Sequence, residues 1–247
     1  MDKIKNSVFF LIYLLLNPRH FFKAVRGIYL PVFVQYEWLK NYKINTVVDV
    51  GASVGNVSHA LHNLFPKAKI YAFDPIESSC NEINKKSFSN QMVIEKVAIS
   101  NKEGESLFYK TNYLPTSSLL PLEKKYQAKF PLKEKLKVRV TTLDKYFKNI
   151  PVKKEVFLKI DTQGAELQVL QGGIEFLKKV SIIQIETIFD DYYLGQYLFQ
   201  DIYGFLIKLG FVYKGSIIDA EFYPKLVLKL EENSIFINKK LFNNAKQ

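Results

Sequence analysis

The chain is poor in the residues that build covalent and metal-held sites. Its single cysteine, Cys80, excludes an internal disulfide, which fits a reducing compartment, and no His or Cys stands beside it to suggest a metal site. The histidines His20, His59 and His62 show no His-x-x-Glu-type spacing, which argues against zinc chemistry. Arginine is scarce: Arg19, Arg26 and Arg139 are the only ones in a chain of formal net charge +11. Arginine is the side chain favoured for bidentate phosphate contacts, so the lysine excess reads as compositional bias and argues against nucleic acid as substrate. No internal repeat or long low-complexity stretch occurs. The apolar run Val8–Leu16 has nine residues, well short of the about 20 that a membrane span needs. Asn17-Pro-Arg-His20 follows it where a signal peptide would carry a small-residue cleavage site.

What is present is a 247-residue chain, 48% hydrophobic, large enough to bury a sizeable core. Two readings of the N-terminus stand: a helix packed on the rest of the chain, or an interfacial helix over residues 3–23 with Lys3, Lys5, Arg19 and Lys23 toward lipid head groups. Packing is the simpler. The location expected is the cytoplasm, with the inner face of the cytoplasmic membrane under the second reading.

Two stretches carry chemistry. In Thr46-Val-Val-Asp-Val-Gly-Ala-Ser-Val-Gly55, an apolar β-branched run reads as a buried parallel strand, broken at Gly51 and followed by a helical pattern from Asn56. Glycine there permits a tight turn and lets a ligand approach the backbone. Ile70 to Phe73 is a second short strand ending on Asp74, placed to accept from ribose hydroxyls. Together these form a nucleoside-binding βαβ unit. Ser53 replaces the middle glycine of the dinucleotide fingerprint, and Asp49 would repel phosphates. A cationic nucleoside such as S-adenosylmethionine (SAM) suits the turn better than NAD.

The other stretch is Val156-Phe-Leu-Lys-Ile-Asp161-Thr-Gln-Gly-Ala-Glu166, echoed by Ser181-Ile-Ile-Gln-Ile-Glu186. Ligands of open α/β sheets sit beyond the carboxyl ends of the strands, so Asp161 and Glu186 point toward the crevice at Gly51. The two carboxylates could serve as general base and hydroxyl acceptor, or as hard ligands for Mg²⁺. Glu166 either steadies a helix N-terminus or contacts substrate.

Strands are expected at 46–50, 69–74, 92–97, 156–161, 181–187, 211–217 and 234–238. Helices are expected at 55–65, 77–87, 165–178 and 197–209. The alternation implies an α/β fold with a parallel-rich sheet and helices on both faces. Residues 1–44 read as a helical extension and 45–240 as the main domain. Its excursion, 104–150, holds a strand at Val138–Thr142 and is placed to cover the site.

These residues resemble the FkbM-type SAM-dependent methyltransferases. The resemblance rests on Asp49 to Gly55, Phe73-Asp-Pro75, Ser117-Ser-Leu119, Thr142-Leu-Asp144, Leu158 to Leu167, Val169-Leu-Gln-Gly172, Glu186, Tyr193-Leu-Gly-Gln196 and Gly210-Phe211. It spans roughly residues 37–238. It implies a Rossmann-like class I methyltransferase fold, a mostly parallel seven-stranded sheet with one antiparallel strand near the C-terminus, and methyl transfer from SAM, commonly to a hydroxyl oxygen. On that reading Asp49, Gly51, Ala52, Ser53 and Gly55 hold the methionine end, and Asp74 with Pro75 holds the ribose. Ile76, Val97 and Ala98 flank adenine, while Ser117 and Ser118 close over the acceptor. Asp161 or Glu186 takes the proton, directly or through Mg²⁺. The expected acceptor is a small molecule or glycan, such as a sugar of a bacterial surface polysaccharide. Three positions depart from the family pattern: Ser53 stands where Asn is common, Asp74 where Glu is usual, and Asn233 where Asp is frequent. An RNA methyltransferase and a non-catalytic SAM-binding module are the alternatives; oligomeric state is not legible.

Overall fold

The computed structural model describes residues 29–86, 90–217 and 231–241. The apolar run at 8–16, and with it the choice between the two N-terminal readings, lies outside them. Among the described residues no helix is long and apolar enough to cross a membrane.

A short helix, α1 (Leu30–Gln35), and a 3-10 turn, Glu37–Asn41, lead into the domain. Pro31 sits in the first turn of α1, where its missing N–H has no partner to lose. The first half runs β1 (Thr46–Val50), α2 (Asn56–Leu64), β2 (Lys69–Phe73), α3 (Glu77–Lys86) and β3 (Met92–Glu95). An excursion follows with β4 (Ala98–Ile99), β5 (Gly104–Thr111), α4 (Lys124–Gln127), β6 (Leu132–Thr141) and α5 (Leu143–Tyr146). The chain returns through β7 (Val156–Ile160), α6 (Glu166–Gln171), α7 (Ile174–Leu177) and β8 (Val180–Ile188). It closes with α8 (Phe199–Lys208), β9 (Phe211–Ile217) and β10 (Glu231–Asn238).

The main sheet has seven strands in the order β3-β2-β1-β7-β8-β10-β9, with β10 antiparallel to both neighbours. β1 pairs in parallel with β2 on one side and β7 on the other, so the strand order reverses at β1. That reversal is where an open α/β sheet splits its connections to opposite faces and leaves a crevice.

β1 and β7 are buried along their whole length because both faces are covered. Val48, Val50, Leu158 and Ile160 pack on one face with Leu167, Leu170, Phe176 and Phe211. Val47 and Phe157 pack on the other with Tyr36, Leu39 and Leu61, which seats the α1 segment on the sheet. Truncating Phe157, which is fully buried and meets Tyr36 edge to face, to alanine would cost about 3–5 kcal/mol.

The strands at 46–50 and 211–217 lie where the sequence puts them. The strand expected over 92–97 ends at Glu95, and the helix expected over 165–178 divides at Gly172-Gly173. A Cβ at Gly172 would lie 2.0 Å from the Ser100 carbonyl oxygen, so this stretch is shaped by close approach to the end of β4. The excursion is more ordered than its sequence suggests. β4, β6 and β5 form a separate three-stranded sheet, whose apolar side joins Phe108, Val138 and Val140 to Ile76 and Ala98.

Candidate active site

The turn after β1 is built tightly. Gly51 and Ala52 both donate backbone N–H groups to Phe73 O at 3.0 Å, and Gly51 has φ +79°. A Cβ on Gly51 would stand 1.8 Å from Asp161 O, and one on Gly55 would stand 2.9 Å from Ile83 Cγ1. The sequence assigns glycine here to a tight turn and to ligand approach; Gly51 makes the turn and borders the cavity described below. In the structure, the missing side chains let the β1 turn touch the β7 turn and α3.

Asp74 joins the β1 and β2 exits. Its Oδ2 accepts from Ser53 N and its Oδ1 from Ile76 N, each at 2.9 Å. Burial pushes its carboxyl from the usual 3.8 up to about 6, against the pull of those two backbone donors. Ser53 adopts φ +48°, and Gln163, in the corresponding turn after β7, adopts φ +58°. Non-glycine residues in this region are uncommon, and such strain concentrates at functional sites.

A cavity of about 450 Å³ opens beyond the carboxyl ends of β1, β2, β7 and β8, within the range of small-molecule sites. Gly51, Ser53, Asp74, Pro75 and Ile76 border it on one side, and Val97 and Ala98 continue the apolar wall. Asp161 and Glu186 stand on the opposite side, with Ser117 beneath the cover. Asp49, Ala52, Gly55, Ser118 and Glu166 do not border it; they stand behind it.

Each of these five residues has a local task. Asp49, fully buried, accepts from Ser58 Oγ at 2.6 Å. Glu166 Oε1 accepts from Thr162 N, Thr162 Oγ1 and Gly164 N at 2.8, 3.0 and 3.2 Å, tying the β7–α6 turn into shape. Burial raises the Glu166 carboxyl to about 7. Ser118 Oγ donates to Gln163 O at 2.6 Å, pinning the cover to the same turn. Ala52 and Gly55 form the bend, Gly55 N donating to Ala52 O at 2.8 Å.

The floor is a chain of charges. Lys159, central in β7, lies 3.3 Å from Asp49 Oδ1 and 3.4 Å from Asp161 Oδ2, and donates to Gly51 O at 3.0 Å. Burial alone would lower the Lys159 pKa, but the Asp161 and Asp49 carboxylates outweigh it and drive it upward. Above the floor, Gln163 Nε2 donates to Asp161 Oδ1 at 2.9 Å and to Glu186 Oε2 at 2.7 Å. Tyr193 OH donates to Gln163 Oε1 at 2.8 Å. Burial pushes Glu186 well above the usual carboxylate range, reinforced by the charges of Asp161, Glu166 and Glu231 and opposed by Lys159.

Three of these residues escaped the sequence reading. Lys159 had a signal: a lysine inside a continuous apolar strand is expensive unless it is paired. Tyr193 stands in the Tyr193-Leu-Gly-Gln196 piece of the family resemblance, which gives it no role. Gln163 lies in the Leu158 to Leu167 piece of the resemblance, but its role depends on turns that meet only in the fold.

The donor set fits a cationic nucleoside. Carboxylate acceptors (Asp74, Asp161, Glu186) face an apolar slot at Ile76, Val97 and Ala98, and the buried Lys159 is already paired with acids. Among the described residues no group of three or more His, Cys, Asp or Glu stands close enough to hold a metal ion.

Comparison with known proteins agrees with this chemistry. The family described as "Methyltransferase FkbM domain" matches residues 49–213. No curated protein matches the chain. Among solved structures, a precorrin-6y C5,15-methyltransferase from Geobacter metallireducens is 13% identical, with 84% of this chain and 88% of that chain covered, at a TM-score of 0.45. A SAM-dependent methyltransferase from Aquifex aeolicus is 15% identical, covering 85% and 92%, also at 0.45. A TehB-like SAM-dependent methyltransferase from Corynebacterium glutamicum is 9% identical, covering 90% and 100%, again at 0.45. At this similarity they bear on no residue role and no substrate. The family match, which takes in the β1 turn, the excursion, Asp161 and Glu186, carries the assignment: the chain belongs to the FkbM family of SAM-dependent methyltransferases.

Proposed function

We propose that this methyltransferase acts on oxygen, methylating a hydroxyl of a sugar or other small molecule in the biosynthesis of a bacterial surface glycan or secondary metabolite. The observation that carries the reading is the pair of carboxylates on the cavity wall across from Asp74: Asp161, just beyond the end of β7, and Glu186, on the neighbouring β8. A hydroxyl must lose a proton to become a good nucleophile, and a carboxylate positioned beside it can accept that proton. SAM, when bound, supplies an electrophilic methyl group. The chain's own part is to align and to dry the site. Asp74 would accept from the ribose, Ile76, Val97 and Ala98 would enclose the base, and the Gly51–Ser53 backbone would meet the methionine end. As the methyl group leaves its sulfonium for the acceptor oxygen, the hydroxyl proton would pass to one of the two carboxylates.

The mouth supports a ring-shaped acceptor. Tyr113 and Phe130 stack with centroids 5.9 Å apart at the rim, and Tyr126 meets Tyr192 at 4.5 Å, so aromatic faces are available to a sugar or planar ring. The test is a methyl-transfer assay against cell-envelope sugars with Asp161→Asn and Glu186→Gln. A loss of about 10²–10⁴-fold in turnover at unchanged SAM affinity supports the reading. Full turnover in both variants would overturn it.

A second reading is favoured by one feature. Lys133, Lys135, Lys137 and Arg139 lie at alternate, exposed positions of β6, a cationic stripe suited to an RNA backbone. Steeply salt-dependent RNA binding would support it. Flotation with anionic vesicles tests the separate proposal of a membrane-surface position through residues 3–23.

A further inference from the structure

We infer that Glu186 is the proton acceptor of the pair and that Gln163 is its positioning residue, an amide clamp held from the cover side by Tyr193. The inference rests on the O-methylation reading for the identity of the proton's source; the clamp itself is a matter of geometry.

One side-chain amide has two N–H hydrogens, and Gln163 directs both at carboxylates, 2.9 Å to Asp161 Oδ1 and 2.7 Å to Glu186 Oε2. An ionised carboxylate can only accept, so the NH₂ end must face the acids and the carbonyl end must face Tyr193 OH, 2.8 Å away. The orientation is thus fixed from both ends. A bridging donor also separates two acids that would otherwise compete for one shared proton.

The clamp leaves the two acids unequal. Asp161 has one oxygen on Gln163 and the other on Lys159. Glu186 has one oxygen on Gln163, while its Oε1 takes no hydrogen bond among the described residues and the residue borders the cavity. That oxygen is the one left to receive a proton. The groups facing Glu186 are Asp161 from the β7 tip, Glu166 from α6, Glu231 from β10, Lys159 from β7 and Tyr193. Three acids crowd it; Lys159 opposes them, and the Gln163 amide sets a donor directly on Oε2, where it meets the ionised form.

The local backbone is shaped around this arrangement. Gln163 has φ +58°, a conformation that glycine or asparagine adopts at less expense. At the adjoining Gly164 a Cβ would lie 2.8 Å from Tyr193 Cδ2, so the tyrosine ring packs directly on that glycine and brings its hydroxyl to the amide. Tyr193 in turn pairs with Leu122 of the excursion, and its hydroxyl lies 3.2 Å from Thr116 O. The cover therefore reaches the proton acceptor through two side chains.

The test titrates side-chain carboxyl carbons by NMR in ¹³C-labelled full-length protein, with the Glu186 signal assigned by Glu186→Gln. Gln163→Asn keeps a residue that tolerates the left-handed backbone but is one methylene too short to reach both acids. Gln163→Met keeps the length and removes the donor. Each should raise the Glu186 midpoint by about one pH unit, and Tyr193→Phe should raise it by less. Unchanged Glu186 midpoints in both Gln163 variants would overturn the inference, even if their melting temperatures fall, because a purely structural role would affect melting alone. Calorimetric SAM titration of the same samples keeps the two readings apart. Failure of the wild type to bind SAM would count against methyl transfer while leaving the carboxyl titration decisive for the clamp.

Discussion

Replacing Lys159 with methionine tests whether charge holds the floor of the crevice together. The ammonium group touches Asp49, Asp161 and Gly51 O within 3.4 Å, and its side chain is 4% exposed. Methionine is similar in length and flexible enough to fill the space, so the perturbation is mainly electrostatic. Asp161, 35% exposed, can recover water; Asp49, at 0%, cannot and would keep only the Ser58 hydroxyl. Removing one partner of a buried pair strands the other at about 3–5 kcal/mol. For a chain of this size each kcal/mol moves the melting midpoint by about 2–4 °C, so the expected fall is about 6–20 °C. Adding Asp49→Asn removes the stranded charge and should restore much of that loss, with a coupling energy of about 2–3 kcal/mol in the double-mutant cycle. The assay is thermal and urea unfolding followed by circular dichroism on the four proteins. A Lys159→Met protein within about 1 kcal/mol of wild type, or a cycle that is additive within about 0.5 kcal/mol, would refute the reasoning.

Three other outcomes are expected. Asp74→Ala should weaken SAM binding by about tenfold to a hundredfold in calorimetry, the worth of a charged hydrogen-bond acceptor; wild-type affinity would take Asp74 out of the cofactor contacts. Because burial raises the Asp74 carboxyl from 3.8 to about 6, the ionised form is disfavoured in the native state. This residue's destabilising contribution is full above pH 6, about 3 kcal/mol at most, and disappears as pH falls toward 3.8. Asp74→Asn should flatten stability across that window, and an unchanged pH profile would count against the shift. Gly51→Ala should destabilise the fold by more than about 3 kcal/mol, since its Cβ would lie 1.8 Å from Asp161 O at φ +79°; a wild-type melting temperature would show that the two turns do not meet as described.

The main sheet was legible because buried parallel strands are continuous apolar runs that stop on a charge or a glycine. Val156 to Ile160 and Thr46 to Val50 announce themselves in that way. β5 did not, because its two neighbouring apolar residues, Leu107 and Phe108, break the alternation of a half-buried strand, and Glu105 and Lys110 mask the rest. β6 alternates Leu136, Val138 and Val140 against Lys135, Lys137 and Arg139; the strand expected at Val138–Thr142 is its second half, and the lysine-rich first half, from Leu132, was missed. In the site, acids at strand tips stood out because an acid ending an apolar strand needs a reason. The hydrogen bond between Tyr193 and Gln163 joins positions 30 residues apart on two irregular turns, and no periodicity encodes that meeting.

The pairing of β4 with β6 has a mechanical consequence. Ala98 and Ile99 follow directly on Val97 of the cavity wall, and they pair in register with Val140 and Thr141 of β6, the strand that closes the excursion. On the proposed function, the wall beside the nucleoside and the cover over the acceptor are tied together by that short ladder. Any motion that admits an acceptor by lifting the roof must either break that short ladder or drag Ala98 with it, loosening the grip on the nucleoside. Were the cover to lift for an acceptor, the nucleoside wall would loosen with it, and an order of loading would follow from two pairs of residues.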